Sequence, residues 1–218
     1  MFIDREDAGR RLAAALLRFK NEHPCVLALP RGGVPVAYEV AKALEAPMDL
    51  VLVRKIGAPF QPELAVAAVV DGSRPELVVN ERLVEELGLT DDFIAKEEAK
   101  QLREIERRRQ LYLGGRSRLD VSGKTAIIID DGIATGATIR SAIHATRRAK
   151  PKRIVLAVPV APVQTLADLQ SEVDEIVCLE SYEDFGAIGL YYRDFTQVDD
   201  DVVSELLARA APPAAKTA

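Results

Sequence analysis

The 218-residue chain has no tryptophan, two cysteines, two histidines and only 5% aromatic residues. Cys25 and Cys178 lie in apolar runs without a partner at metal-ligand or redox spacing, which excludes zinc and disulfide frameworks and leaves both as small buried hydrophobes. Long apolar runs are missing too: stretches such as Ile154 to Ala161 are far short of the ~20 residues that cross a bilayer as a helix. The opening Met1 to Asp7 turns acidic at once and lacks the basic stretch and apolar core of a secretory signal, so a cytoplasmic location is expected. A surplus of positive charge is also absent, since 34 acidic against 29 basic side chains leave −5, the wrong sign for a nucleic-acid or anionic-lipid surface. Neither Gly-x-x-x-x-Gly-Lys-Ser/Thr nor Gly-x-Gly-x-x-Gly occurs, which removes the P-loop and dinucleotide readings.

What is present is 48% hydrophobic and 29% charged, the composition of a globular protein. The length suits one domain over residues 1–210, with a disordered tail at 211–218. Asp4 can cap a helix through Lys20, with Ala8, Leu12 and Leu16 at helical spacing. Cys25 to Leu29 reads as a buried strand, Pro30 to Gly33 as a turn, and Val36 to Leu44 as a helix with Pro35 at its start. Leu50 to Val53 reads as a second strand, and Leu64 to Val70 and Leu77 to Val79 as weaker ones. After residue 118 the rhythm resumes with strands at Thr125 to Asp130, Arg153 to Val158 and Glu175 to Leu179. Helices fill Thr138 to Ala149 and Pro162 to Ser171, and Asp199 can cap a last one. Such alternation implies an α/β fold, a mainly parallel sheet with helices on both faces, whose ligands bind beyond the carboxyl ends of the strands.

Between them, Glu81 to Arg118 is a charge-dense helical insertion, a short helix and then a long one capped by Thr90. Acids crowd Glu81 to Glu98 and bases crowd Ala99 to Arg118. The stretch reads either as a solvated face laced with i,i+4 pairs or as a basic lid near a phosphate site.

Chemistry concentrates in Ile127-Ile128-Ile129-Asp130-Asp131-Gly132-Ile133-Ala134-Thr135-Gly136-Ala137-Thr138. A buried strand delivers two carboxylates to its open end, and a loop of small residues feeds a helix N-terminus. Backbone N–H groups and the positive end of the helix dipole suit a phosphate dianion, with the Thr135 and Thr138 hydroxyls as further donors. Carboxylates there can accept hydrogen bonds from vicinal sugar hydroxyls or hold hydrated magnesium. Phosphate, diol and metal together describe a ribose phosphate; a lone Asp-Asp pair would only end a strand.

At these residues the sequence resembles the type I phosphoribosyltransferases. The resemblance implies that Asp130 and Asp131 face the ribose 2- and 3-hydroxyls and magnesium, and that Ala134, Thr135, Gly136, Ala137 and Thr138 hold the 5-phosphate of phosphoribosyl pyrophosphate. Pro30-Arg31-Gly32-Gly33 resembles the family's pyrophosphate loop, and Arg54-Lys55, read as closing the second strand, a pair contacting diphosphate. Asp130, Asp131, Arg31 and Lys55 are thereby the catalytic candidates. A mobile cover falls to Ile56 to Pro62 or to the charged insertion, and a hood that chooses the acceptor to residues 182–198, where Phe185 could stack on a planar ring. The implied reaction transfers the phosphoribosyl group to a nitrogenous small-molecule acceptor with magnesium as cofactor, in a homodimer and without nucleic acid or membrane partners. Where 6-oxopurine enzymes of the family carry an acid before Thr-Gly, this chain has Ala134. A sensor of the same metabolite without turnover is the alternative. An RNA-binding regulator built on Arg103, Arg107, Arg108 and Arg109 is a third, opposed by the net charge.

Overall fold

A computed structural model describes residues 1–71 and 75–210. The Asp4 carboxylate accepts the Asp7 N–H and starts α1 (Arg5–Leu16), which buries Ala8, Leu12 and Leu16. Then follow β1 (Cys25–Ala28), α2 (Gly33–Leu44), β2 (Met48–Leu50), β3 (Val53–Ala58), β4 (Gln61–Val70) and β5 (Glu76–Val79). The insertion holds α3 (Glu81–Glu86) and α4 (Asp91–Leu113). Beyond it lie β6 (Thr125–Ile129), α5 (Ala137–Arg148), β7 (Arg153–Pro162), α6 (Val163–Leu169), β8 (Glu175–Tyr182) and α7 (Asp200–Arg209).

Five strands form the expected parallel sheet in the order β2-β1-β6-β7-β8. Successive side chains of a strand point to opposite faces. In β6, Ile127 and Ile129 therefore pack with Leu12, Val36 and Val203 of α1, α2 and α7, whereas Ile128 packs with Ile139, Ile143 and Leu169 of α5 and α6. Burial on both faces explains why the central strands are continuous apolar runs. Cys25 is buried as expected, but Cys178 is half-buried because β8 is an edge strand.

Several boundaries differ from expectation. Leu50 to Val53 is not one strand: the chain leaves the parallel sheet after Leu50 and enters a second, antiparallel sheet, β3-β4-β5, at Val53. Leu50, Val51 and Leu52 are all buried, so the apolar pattern carries no mark at the crossing. Arg54 and Lys55 consequently lie inside β3 and do not close β2. Helix α2 begins at Gly33, whose N–H donates to the Leu29 carbonyl, which puts Pro35 in a first turn that needs no N–H from it. Asp199 stands at the N-cap of α7 without a side-chain cap bond. The tail from 211 to 218 lies outside the described residues.

The insertion matches its sequence pattern closely. The Thr90 hydroxyl accepts the Phe93 N–H, and Gly114, at φ 54°, ends α4. Glu104 pairs with Arg107 and Arg108, which holds its carboxyl down at about 2. Arg109 instead turns inward. Its Nη1 donates to Asp71 Oδ2 at 2.6 Å, Arg118 pairs with the other oxygen of Asp71, and Arg109 Nη2 lies 3.5 Å from Asp49 Oδ1. Asp49 also accepts the N–H groups of Leu50 and Leu119. This buried network fastens α4 to both sheets. Three of the four clustered arginines, Arg107, Arg108 and Arg109, are therefore paired with acids, and the cluster is no free basic stripe.

Removing one partner of a buried ion pair leaves the other uncompensated. Arg109→Ala is expected to lower unfolding free energy by about 3 kcal/mol in a urea titration. An unchanged midpoint would show that the network does not hold α4.

Candidate active site

The parallel sheet places the ends of its neighbouring central strands β1 and β6 side by side, so the turn after β1 meets the carboxylates after β6. The approach leaves no room for a side chain. A Cβ on Gly32 would stand 1.9 Å from Asp131 Oδ2, and one on Gly33 would stand 2.8 Å from the Ile129 carbonyl and 2.9 Å from Asp130 Cα. Glycine at both positions is thus a requirement of packing.

Asp131 is 8% exposed. Its Oδ2 accepts from Arg5 Nε at 2.7 Å, its N–H donates to Asp130 Oδ1, and its carbonyl accepts from the buried Tyr192 hydroxyl at 2.6 Å. Burial raises the Asp130 carboxyl well above the carboxylate range, and the adjoining charge of Asp131 adds to the effect. Asp131 is raised by burial as well, with Arg5 opposing the rise. Two adjacent carboxyls share one guanidinium. The site is short of positive charge and suits hydroxyl hydrogens or a cation.

Arg5 is not marked by any sequence motif. Its Nη1 donates to the Thr196 carbonyl at 2.8 Å, and its guanidinium lies 3.9 Å from the centroid of the Phe195 ring. One signal is available: a base at the first position of a helix opposes the macrodipole and calls for another reason to be there. Arg31 extends from the glycine turn, with Nη1 3.5 Å from Asp200 Oδ1. That oxygen accepts from Tyr112 of α4 at 2.6 Å, and burial with this bond pushes the Tyr112 phenol up to about 12, so it remains a donor. Asp200 and Tyr112 too are absent from the sequence reading.

The loop from Gly132 runs into α5 as anticipated. The Ile133 N–H donates to the Val160 carbonyl, and the Thr165 hydroxyl donates to the Ala134 carbonyl, which pins the loop from beneath. Gly136 stands at the N-cap with φ 75° and no side-chain cap bond, and Ala134, Thr135 and Ala137 are exposed. No side chain caps the first-turn N–H groups of α5.

The pleat of β3 separates the Arg54-Lys55 pair. Lys55 lines a cavity of about 460 Å³ with Thr138 and Ser141 of α5, whereas Arg54 Nε donates to Gln101 of α4 at 3.2 Å. Lys55 is thus brought to the loop and Arg54 is not. Phe185 stacks on Tyr191 at 4.8 Å, and Tyr182 on the same ring at 4.6 Å. This aromatic cluster packs with Phe2 and Val160. Beside Asp131 the wall is made instead by Phe195 and Gln197, which with Arg5, Arg31 and Gly32 line a second cavity of about 350 Å³. Phe60, at the tip of the β3–β4 hairpin, is 97% exposed.

Residues 3–196 match the family model described as phosphoribosyl transferase domain. The chain belongs to the phosphoribosyl transferase family. Two Mycobacterium tuberculosis strains carry proteins named "Putative phosphoribosyl transferase" that are 46% identical over 211 residues. That match covers 96% of this chain and 47% of theirs, so the chain spans about half the length of these relatives. Among solved structures, TT1426 from Thermus thermophilus is 40% identical, with a TM-score of 0.82 and coverage of 97% of this chain and 99% of that one. No helix among the described residues is long and apolar enough to cross a membrane.

The tight turn gives a direct test. Gly32→Ala should cost about 1–3 kcal/mol of stability, because the added methyl must displace Asp131 or the turn. A urea midpoint equal to that of the unaltered protein would show the approach to be looser.

Proposed function

We propose that the chain transfers the phosphoribosyl group of phosphoribosyl pyrophosphate to a nitrogenous acceptor and releases pyrophosphate. The apposition of Asp130 and Asp131 to the Gly32-Gly33 turn, at the mouth of the uncapped α5 N-terminus, carries this reading. The carboxylates orient the ribose by accepting its hydroxyl hydrogens. The loop from Ala134 to Thr138 receives the 5-phosphate through backbone N–H groups and two hydroxyls. Arg31, with the backbone of Gly32, holds the diphosphate, and Lys55 approaches across the cavity that it shares with Thr138.

The nitrogen lone pair forms a bond to C1 as the C1–oxygen bond breaks, its electrons leaving with pyrophosphate and the nitrogen's proton passing to solvent. Positive charge at C1 and negative charge on the leaving group are met by fixed carboxylates and guanidiniums. Among the described residues no group of three or more His, Cys, Asp or Glu could cage a metal. Two carboxyls alone fit magnesium, which keeps water and phosphate oxygens among its ligands. When bound, it supplies charge neutralisation on the departing diphosphate.

Of the two candidate covers, the hairpin at Ile56 to Pro62 suits the role. Its tip projects Phe60 into solvent, whereas α4 is fastened by Arg109. With Ala134 before Thr135-Gly136, the loop offers no acid or base at that point. The same reading puts the reaction in the cytoplasm.

Isothermal titration with phosphoribosyl pyrophosphate and magnesium should show binding that falls at least tenfold in the Asp130→Asn/Asp131→Asn double variant. Absent or unaltered binding would sink the proposal. Pyrophosphate release across a panel of acceptors then separates an enzyme from a sensor, which would bind without turnover.

A further inference from the structure

The peptide that joins Asp131 to Gly132 links the carboxylates after β6 to the loop running into α5, and on the transferase reading it couples the ribose site to the 5-phosphate site. β6 ends at Ile129, so the sheet ladder does not fix that peptide. Three contacts from other segments do. The Tyr192 hydroxyl donates to the Asp131 carbonyl at 2.6 Å, from a side chain buried behind the site. Ile188 presses on Gly132, where a Cβ would stand 2.7 Å from Ile188 Cγ2. Arg5 Nε donates to Asp131 Oδ2 at 2.7 Å.

These contacts come from one unit. Residues 2 and 3 pair with the segment after Ile188: the Phe2 N–H donates to the Tyr191 carbonyl at 2.8 Å, and the Arg193 and Asp194 N–H groups donate to the Phe2 and Ile3 carbonyls at 2.9 Å. Arg5 Nη1 closes the unit on the Thr196 carbonyl, and the Tyr192 ring packs between Phe2 at 5.3 Å and Phe195 at 5.1 Å. A carboxylate has about four lone-pair sites, so Asp131 keeps Arg5 while it accepts hydroxyl hydrogens. The unit sets the direction of the carboxylate without competing for the ligand.

We infer that Tyr192 and Arg5 are positioning residues for the donor: from a unit made of residues 2–5 and 188–196 they hold Asp131 and the Asp131-Gly132 peptide in the attitude that receives the ribose. This rests on the transferase reading, and it gives part of the segment expected to choose the acceptor a task at the donor. Groups held in place before binding spare the cost of ordering them when the ligand arrives. Without the Tyr192 hydroxyl the peptide is free to turn, and the carboxylate with it. Neither residue makes or breaks a bond in the transfer.

The test follows binding to the full chain by calorimetry in magnesium buffer, with phosphoribosyl pyrophosphate and inorganic pyrophosphate as separate probes. Tyr192→Phe removes only the hydroxyl, and it should weaken phosphoribosyl pyrophosphate about tenfold while leaving pyrophosphate within about twofold. Arg5→Lys keeps the charge but cannot hold Asp131 and Thr196 in one fork, so a smaller loss of the same pattern is expected. Arg109→Ala, which lowers stability away from the site, is the control and should leave donor affinity unchanged. Donor affinity unaltered in Tyr192→Phe overturns the inference. So does a loss that the control shares, or one that falls equally on pyrophosphate, because either marks a merely structural role. If Tyr192→Phe fails to fold, hydrogen exchange on the unaltered protein decides: phosphoribosyl pyrophosphate should slow the Arg193 and Asp194 amides about threefold or more, since a ligand that needs the unit closed must stabilise it in return. Unchanged exchange then overturns the inference and leaves the transferase reading to stand. Failure of the unaltered protein to bind phosphoribosyl pyrophosphate removes the transferase reading, and this inference with it.

Discussion

Contact between the Pro30 to Gly33 turn and the end of β6 governs the geometry of the whole site. Parallel pairing of β1 and β6 brings the two strand ends together, and two glycines let backbone approach carboxylate at a distance that no Cβ allows. The glycine turn and the paired carboxylates thereby share the carboxyl end of one sheet. Their separation is set by interstrand spacing and owes nothing to loop flexibility.

Around that contact the charges are balanced from outside the motif. Arg5 reaches Asp131 from the first turn of α1, and Asp200 reaches Arg31 from the first turn of α7. Both counter-charges thus come from the ends of the described chain. Arg5 joins Asp131 to the segment carrying Phe195 and Thr196, while Tyr112 joins Asp200 to the insertion.

The sequence is most readable where local physics is strong. The run Ile127 to Thr138, with its apolar strand, paired carboxylates and small-residue loop, implies both the parallel sheet and the position of the site. Thr90 and Gly114 bound α4 because capping is a local act. What could not be read depends on distant segments. The passage from β2 to β3 falls in an unbroken apolar run. The division of Arg54 from Lys55 depends on strand register, since adjacent residues of a strand face apart. Arg5, Tyr112 and Asp200 acquire their partners only through tertiary packing, more than 80 residues away along the chain.

The network of Asp49, Arg109, Asp71 and Arg118 bears on how this chain can change by insertion or deletion. A helix inserted between two sheets is commonly dispensable, a module to be trimmed or exchanged. Here the edge of one sheet and the end of β4 in the other each hold a buried carboxylate whose cation lies on, or just beyond, that helix. Excising α4 would take Arg109 from both carboxylates, leaving Asp49 without a cation and Asp71 with Arg118 alone, so a shortened version must at least replace Asp49 in the same step. Helix and sheets are bound to change together, although none of these four side chains belongs to the motif that marks the site.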